Sequence, residues 1–98
     1  MKCRKFYKDI LTHCYQRTAD GGVLFYSYSD YLVYFTIFCI IARKYNIRVY
    51  SLCQMPDHVR DSSSAKKAAD LVSFKREVNS RFSREYKKTY GFNSAVFE

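Results

Sequence analysis

Apolar and polar residues change their spacing several times along the chain, and each spacing argues for a different element. Residues 10 to 17, "ILTHCYQR", mix apolar and polar positions with β-branched and aromatic types, which suits a first strand. "ADGG", from Ala19 to Gly22, then breaks it. Ser29 with Asp30 offers an N-cap, and "DYLVYFTIFCIIARK" follows without a breaker until Asn46, which predicts a helix from about Asp30 to Tyr45. That helix is apolar almost all round, with Tyr31, Leu32, Tyr34, Phe35, Phe38 and Ile41 covering more of its circumference than one sheet can bury. Its second side therefore predicts a further covering layer or a homodimer.

Strict alternation returns in "IRVYSLCQM", residues 47 to 55, with Ile47, Val49, Ser51, Cys53 and Met55 on one face and Arg48, Tyr50, Leu52 and Gln54 on the other. Pro56 and Asp57 make a turn, and His58 and Val59 begin a return strand that "RDSSS" gives no hydrophobic reason to continue. From about Ser64 to Tyr90 the residues Leu71, Phe74, Val78, Phe82, Tyr86 and Tyr90 recur at steps of three and four, the mark of an amphipathic helix, and Gly91 ends it. "SAVFE" is a candidate last short strand. The order predicts an α+β, ferredoxin-like β-α-β-β-α(-β) fold with an antiparallel sheet and two helices, in one domain spanning residues 1–98.

Composition narrows the class. Eighteen aromatic residues with only three Gly and one Pro exclude a disordered chain. The most apolar stretch, Tyr31 to Ala42, is shorter than the roughly 20 residues of a membrane span, and "MKCRKFYKDI" lacks the apolar core of a signal peptide, so a soluble cytoplasmic protein with no membrane partner is expected. Cys3, Cys14, Cys39 and Cys53 are far apart with no zinc-ligand spacing, and reduced, buried thiols are the expectation. The net charge of +8 favours a polyanionic partner, since neutralising phosphates releases counterions. The second helix concentrates that charge, its polar side carrying Lys66, Arg76, Arg81, Arg84, Lys87 and Lys88.

"THCYQR", "VLFYSYSDYL", "IRVYSLCQMPDHV" and "LVSFKREVNSRFSREYKKTYG" together resemble, in order, the REP-associated, insertion-sequence-200-like tyrosine transposases of the HUH superfamily, which are bacterial. The resemblance runs from about Leu11 to Glu98. In that family the middle strand ends in Met-Pro-Asn-His-hydrophobic-His. Here Met55, Pro56, His58 and Val59 match, Asp57 stands for the Asn, and Arg60 stands for the second His.

The resemblance implies a DNA transposase whose two His hold Mg²⁺ or Mn²⁺ against the scissile phosphate while a downstream tyrosine attacks it. This chain departs from the pattern twice. Arg60 puts a fixed cation where a ligand belongs and cannot coordinate metal, which leaves His58 as the lone remaining ligand and no cofactor expected. The tyrosine-bearing segment lies beyond the matched region, and Tyr86 and Tyr90 fall on the apolar stripe. His13 and Arg17 match an early His and Arg and share a strand face, for sheet packing or to flank a phosphate.

The expectation is thus a transposase-like domain that binds single-stranded or hairpin DNA without cleaving it, through Arg17, Arg60, Arg76, Arg84, Lys87 and Lys88, with His58 and Arg60 as catalytic remnants. Two alternatives stand beside it. One is an active strand transferase that uses Mg²⁺ or Mn²⁺ and takes a ligand or tyrosine from another subunit. The other is a basic homodimeric interaction module.

Overall fold

A computed structural model describes residues 11–19, 21–91 and 95–97 of the chain. Cys3, Ile10, Asp20, Ser94 and Glu98, which enter the expectations above, lie outside the described residues. The elements are β1 (Thr12–Arg17), α1 (Tyr28–Lys44), β2 (Arg48–Met55), β3 (His58–Ser64) and α2 (Ala68–Tyr90). The strands form one antiparallel sheet in the order β1-β3-β2, so the return strand is its centre. This is the expected α+β, ferredoxin-like arrangement. Where a fourth strand would come, Thr18 and Phe97 form an isolated antiparallel bridge at the end of β1, and the Ala19 N–H donates to the Val96 carbonyl at 3.0 Å.

Both helices pack on one face of the sheet. α2 turns Leu71, Phe74, Val78, Phe82 and Tyr86 inward, and α1 meets them with Tyr34, Phe38 and Ile41, joined by Leu24, Phe25, Val59 and Val96. Edge-to-face contacts set this core, with Phe38 against Phe74 at 5.0 Å and Tyr34 against Phe82 at 5.2 Å between ring centroids. Tyr31 is partly buried and stacks on Phe25. The outer side of α1 leaves Leu32, Val33, Phe35 and Ile40 exposed. Among the described residues no helix is long and apolar enough to cross a membrane.

Several expectations need correction. α1 begins earlier than Asp30, because Ser27 is the N-cap. Its hydroxyl accepts from the Asp30 N–H at 3.3 Å, while the Asp30 carboxylate accepts from the Ser27 N–H at 3.2 Å, a reciprocal capping box. α2 begins at Ala68 rather than Ser64, because Ser64 is still paired in the sheet, opposite Arg48. The perfect alternation expected of β2 is broken by a register shift between Val49 and Ser51, which leaves Tyr50 unpaired and exposed. Finally, the free cysteines Cys39 and Cys53 are exposed, and Cys14 is buried but disulfide-bonded.

β3 departs furthest from the pattern, continuing through Asp61-Ser62-Ser63-Ser64 where no hydrophobic residue draws it. Polar pairing replaces the missing apolar contact. Asp61 and Lys75, each with a side chain only 2% exposed, form an ion pair beneath the sheet, and the Ser63 hydroxyl donates to the same carboxylate at 2.5 Å. The Lys75 ammonium lies 5.4 Å from the Phe38 ring centroid and 5.2 Å from that of Phe74. Burial pushes the Lys75 pKa down, and the Asp61 charge opposes that shift. On the other face the Ser62 hydroxyl pairs with His13 Nδ1 at 2.7 Å, and the Ser64 hydroxyl lies 3.4 Å from the Tyr50 hydroxyl. Every side chain of the polar run thus has a partner.

Candidate nucleic-acid interface

Alternation along three paired strands builds the face turned away from the helices. Register places His13 opposite Ser62, Tyr15 opposite Arg60, and Arg17 opposite His58. On the other side of β3, Ser51, Cys53 and Met55 stand opposite Ser62, Arg60 and His58. The resulting three-by-three grid contains two guanidiniums, two imidazoles and a phenol, and no carboxylate. Asp57 lies at its rim, in the turn before β3.

Tyr15 is the hub. The Arg60 guanidinium carbon lies 5.2 Å from the ring centroid and that of Arg17 5.6 Å, while the His58 ring sits 5.0 Å away, tilted by 36°. Each cation–π contact contributes about 0.5–1 kcal/mol at an exposed site. More usefully, the ring holds two long, exposed cations on a common surface. Without it, both guanidiniums would keep their rotamer freedom and give up more entropy on meeting a phosphate.

The turn behind this cluster is anchored from outside the sheet. The Pro56 carbonyl accepts from the Leu24 N–H at 2.7 Å and the Phe25 N–H at 3.1 Å, and the Asp57 carbonyl accepts from the Thr18 N–H at 3.4 Å. Asp57 Oδ1 lies 2.7 Å from His58 Nδ1, and the His58 side chain is 16% exposed. That hydrogen bond, more than any other contact, holds the Asp57 pKa below the usual carboxylate value, with a smaller contribution from the Arg17 charge.

Of the expected site residues, Arg17, His58, Arg60 and His13 come together on this face. Arg76, Arg84, Lys87 and Lys88 do not, because α2 packs beneath the sheet and turns its polar side to the opposite surface. Arg84 there borders a groove between α1 and α2 of about 670 Å³, whose other polar walls include Glu77, Arg81 and Glu85. Arg81 pairs with Glu77 at 3.1 Å, so the charge of that surface is mixed.

The candidate metal ligand His58 has Arg60, not a second donor, beside it on the face. No group of three His, Cys, Asp or Glu side chains is arranged to hold a metal ion among the described residues. The tyrosines of α2 lie in the helix layer, away from His58. Tyr86 is buried and donates to the Val23 carbonyl at 3.2 Å. Tyr90 is 41% exposed rather than part of the core, and donates to the capping carboxylate of Asp30, which raises its pKa. Tyr15 and Asp57 are the site members to which the motif gives no role. Tyr15 is visible in the sequence as the middle of the alternating His13, Tyr15, Arg17 set, whereas the Asp57–His58 bond depends on the turn's geometry.

No known family model matches the chain, and no curated protein does.

Proposed function

We propose that the chain is a single-stranded nucleic-acid-binding domain of the transposase-like kind, which engages single-stranded or hairpin DNA through the open face of its sheet. The observation that carries this reading is the Arg17–Tyr15–Arg60 cluster, two cations braced on one half-buried aromatic ring, on a strand face whose paired positions among the described residues carry no carboxylate and which has Asp57 at its rim. A guanidinium fork matches phosphate oxygens bidentately, and unpaired bases stack on aromatic rings and guanidinium planes. Duplex DNA, with its bases already stacked, offers this surface only its backbone.

The resemblance to insertion-sequence-200-like transposases agrees with the same face, because His58 and Arg60 occupy its paired-histidine positions. Arg60 replaces a metal ligand with a phosphate ligand, which favours binding over metal-dependent strand transfer. The cations of α2 become a secondary, nonspecific surface.

Affinity for a short single-stranded oligonucleotide, measured by fluorescence anisotropy over a range of salt, tests the proposal. The logarithm of affinity should fall linearly with the logarithm of salt, and removing Arg17 and Arg60 together should flatten that slope by about 1.4, at roughly 0.7 for each phosphate no longer neutralised. Tyr15→Ala should weaken binding further by about 1–3 kcal/mol if a base stacks at the cluster. Undiminished binding by the Arg17→Ala/Arg60→Ala variant would refute the assignment to this face.

A further inference from the structure

The cluster holds one group that binding alone does not need. Asp57 Oδ1 accepts from His58 Nδ1–H at 2.7 Å, an arrangement that orients the imidazole with Nε2 as the ring nitrogen turned away from the carboxylate. Arg17 stands directly across the sheet from His58, and Arg60 is two residues further along the same strand face. The turn carrying Asp57 is held by three backbone hydrogen bonds from Thr18, Leu24 and Phe25. An oriented base flanked by two fixed cations is the minimum set for phosphoryl transfer without metal, provided the substrate brings its own nucleophile. DNA brings none. RNA carries a 2′-hydroxyl next to every phosphodiester.

We propose that the open face cleaves single-stranded RNA by internal transesterification, with His58 as general base and Arg17 and Arg60 stabilising the charge that builds on the phosphate. His58 Nε2 takes the 2′-hydroxyl proton as the 2′-oxygen attacks phosphorus. The new P–O2′ bond forms as the P–O5′ bond breaks. The 5′-oxygen leaves with the bonding pair and is protonated through water by the imidazolium, which restores the base. The products are a 2′,3′-cyclic phosphate and a free 5′-hydroxyl, and no metal, oxidant or cosubstrate enters the balance. Asp57 is a positioning residue, acting through the imidazole. The inference rests on the nucleic-acid reading above, with the ribose as the added requirement.

The test incubates the full chain with an end-labelled single-stranded oligoribonucleotide in excess EDTA, alongside the same sequence carrying one 2′-deoxynucleotide at the cleaved position. Cleavage to a 2′,3′-cyclic phosphate is expected with the first strand and not at the substituted position of the second. His58→Ala should slow cleavage at saturating protein by at least about 100-fold, the lower end of what a general base contributes, so that any change in affinity seen by anisotropy cannot account for the loss. Asp57→Asn should lower kcat with KM unchanged. RNA that binds but stays intact, or cleavage that survives in His58→Ala, overturns the inference and leaves the binding function standing. RNA and DNA that both fail to bind would overturn the two together.

Discussion

Lys75 and Asp61 show how a residue pair can decide the path of a strand. The sequence of β3 offers no apolar reason to continue past Val59, yet the strand runs through Ser64 because the Asp61 carboxylate meets the Lys75 ammonium below the sheet. Nothing local reveals this, since Lys75 lies 14 positions away on an amphipathic helix whose other cations lie on its polar side. Removing one partner strands a buried charge, whereas removing both leaves a hole that apolar side chains can fill. Lys75→Met should therefore cost about 3–5 kcal/mol, and Asp61→Val/Lys75→Met should recover most of it, both read from urea unfolding. A double variant as unstable as the single one would contradict this role for the pair. The pH dependence follows from the direction of the shift. With the folded pKa of Lys75 below its ordinary 10.5, the unfolded chain binds more protons between those two values, so this group makes stability rise with pH across that window.

At the scale of elements, α1 and α2 are fastened by more than their aromatic core. Glu77 on α2 accepts from the Lys44 ammonium and the Tyr45 hydroxyl, each at 2.8 Å, and the Lys44 bond is the main reason its pKa falls below the ordinary 4.5. A carboxylate with a depressed folded pKa stabilises the native state above its unfolded value and loses that contribution as pH falls through the folded one. Glu77→Gln should lower the neutral plateau of the thermal-stability profile and flatten its acid limb below about pH 4.5, so that variant and wild type converge in acid. An unchanged acid limb would mean that the bridge does not hold the helices. The helices themselves are legible from periodicity, and Gly91, with φ of 65°, ends α2 as its type predicts. The start of α1 is harder to read, because Ser27 and Ser29 offer the same capping side chain. The deciding signal is the spacing of Ser27 to Asp30, which closes the capping box.

For the molecule as a whole, the two helices pack on one face of the sheet and, among the described residues, no element packs on the other, and this separates the charges that composition pools. Arg17 and Arg60 are recognisable as candidates from the motif. That Tyr15 gathers them, and that the α2 cations face the other way, depends on strand register and helix packing, which no local pattern encodes. The outer side of α1 is a separate matter. Of the apolar residues expected to drive dimerisation, Tyr34, Phe38 and Ile41 are core, while Leu32 and Phe35 are exposed together with Val33 and Ile40. A second copy covering that side would make Phe35→Lys/Ile40→Lys monomeric by light scattering with little loss of thermal stability, and a wild-type chain already monomeric at high concentration would dismiss the dimer.

The central claim, that the open sheet face receives the nucleic acid, is tested most directly by amide chemical-shift mapping as a short single-stranded DNA is titrated into the labelled chain. The shifts should concentrate on residues 13–17 and 57–62, with α2 residues 76–88 moving little. Perturbations centred on Arg76, Arg84 and Lys87, with β1 and β3 silent, would contradict it.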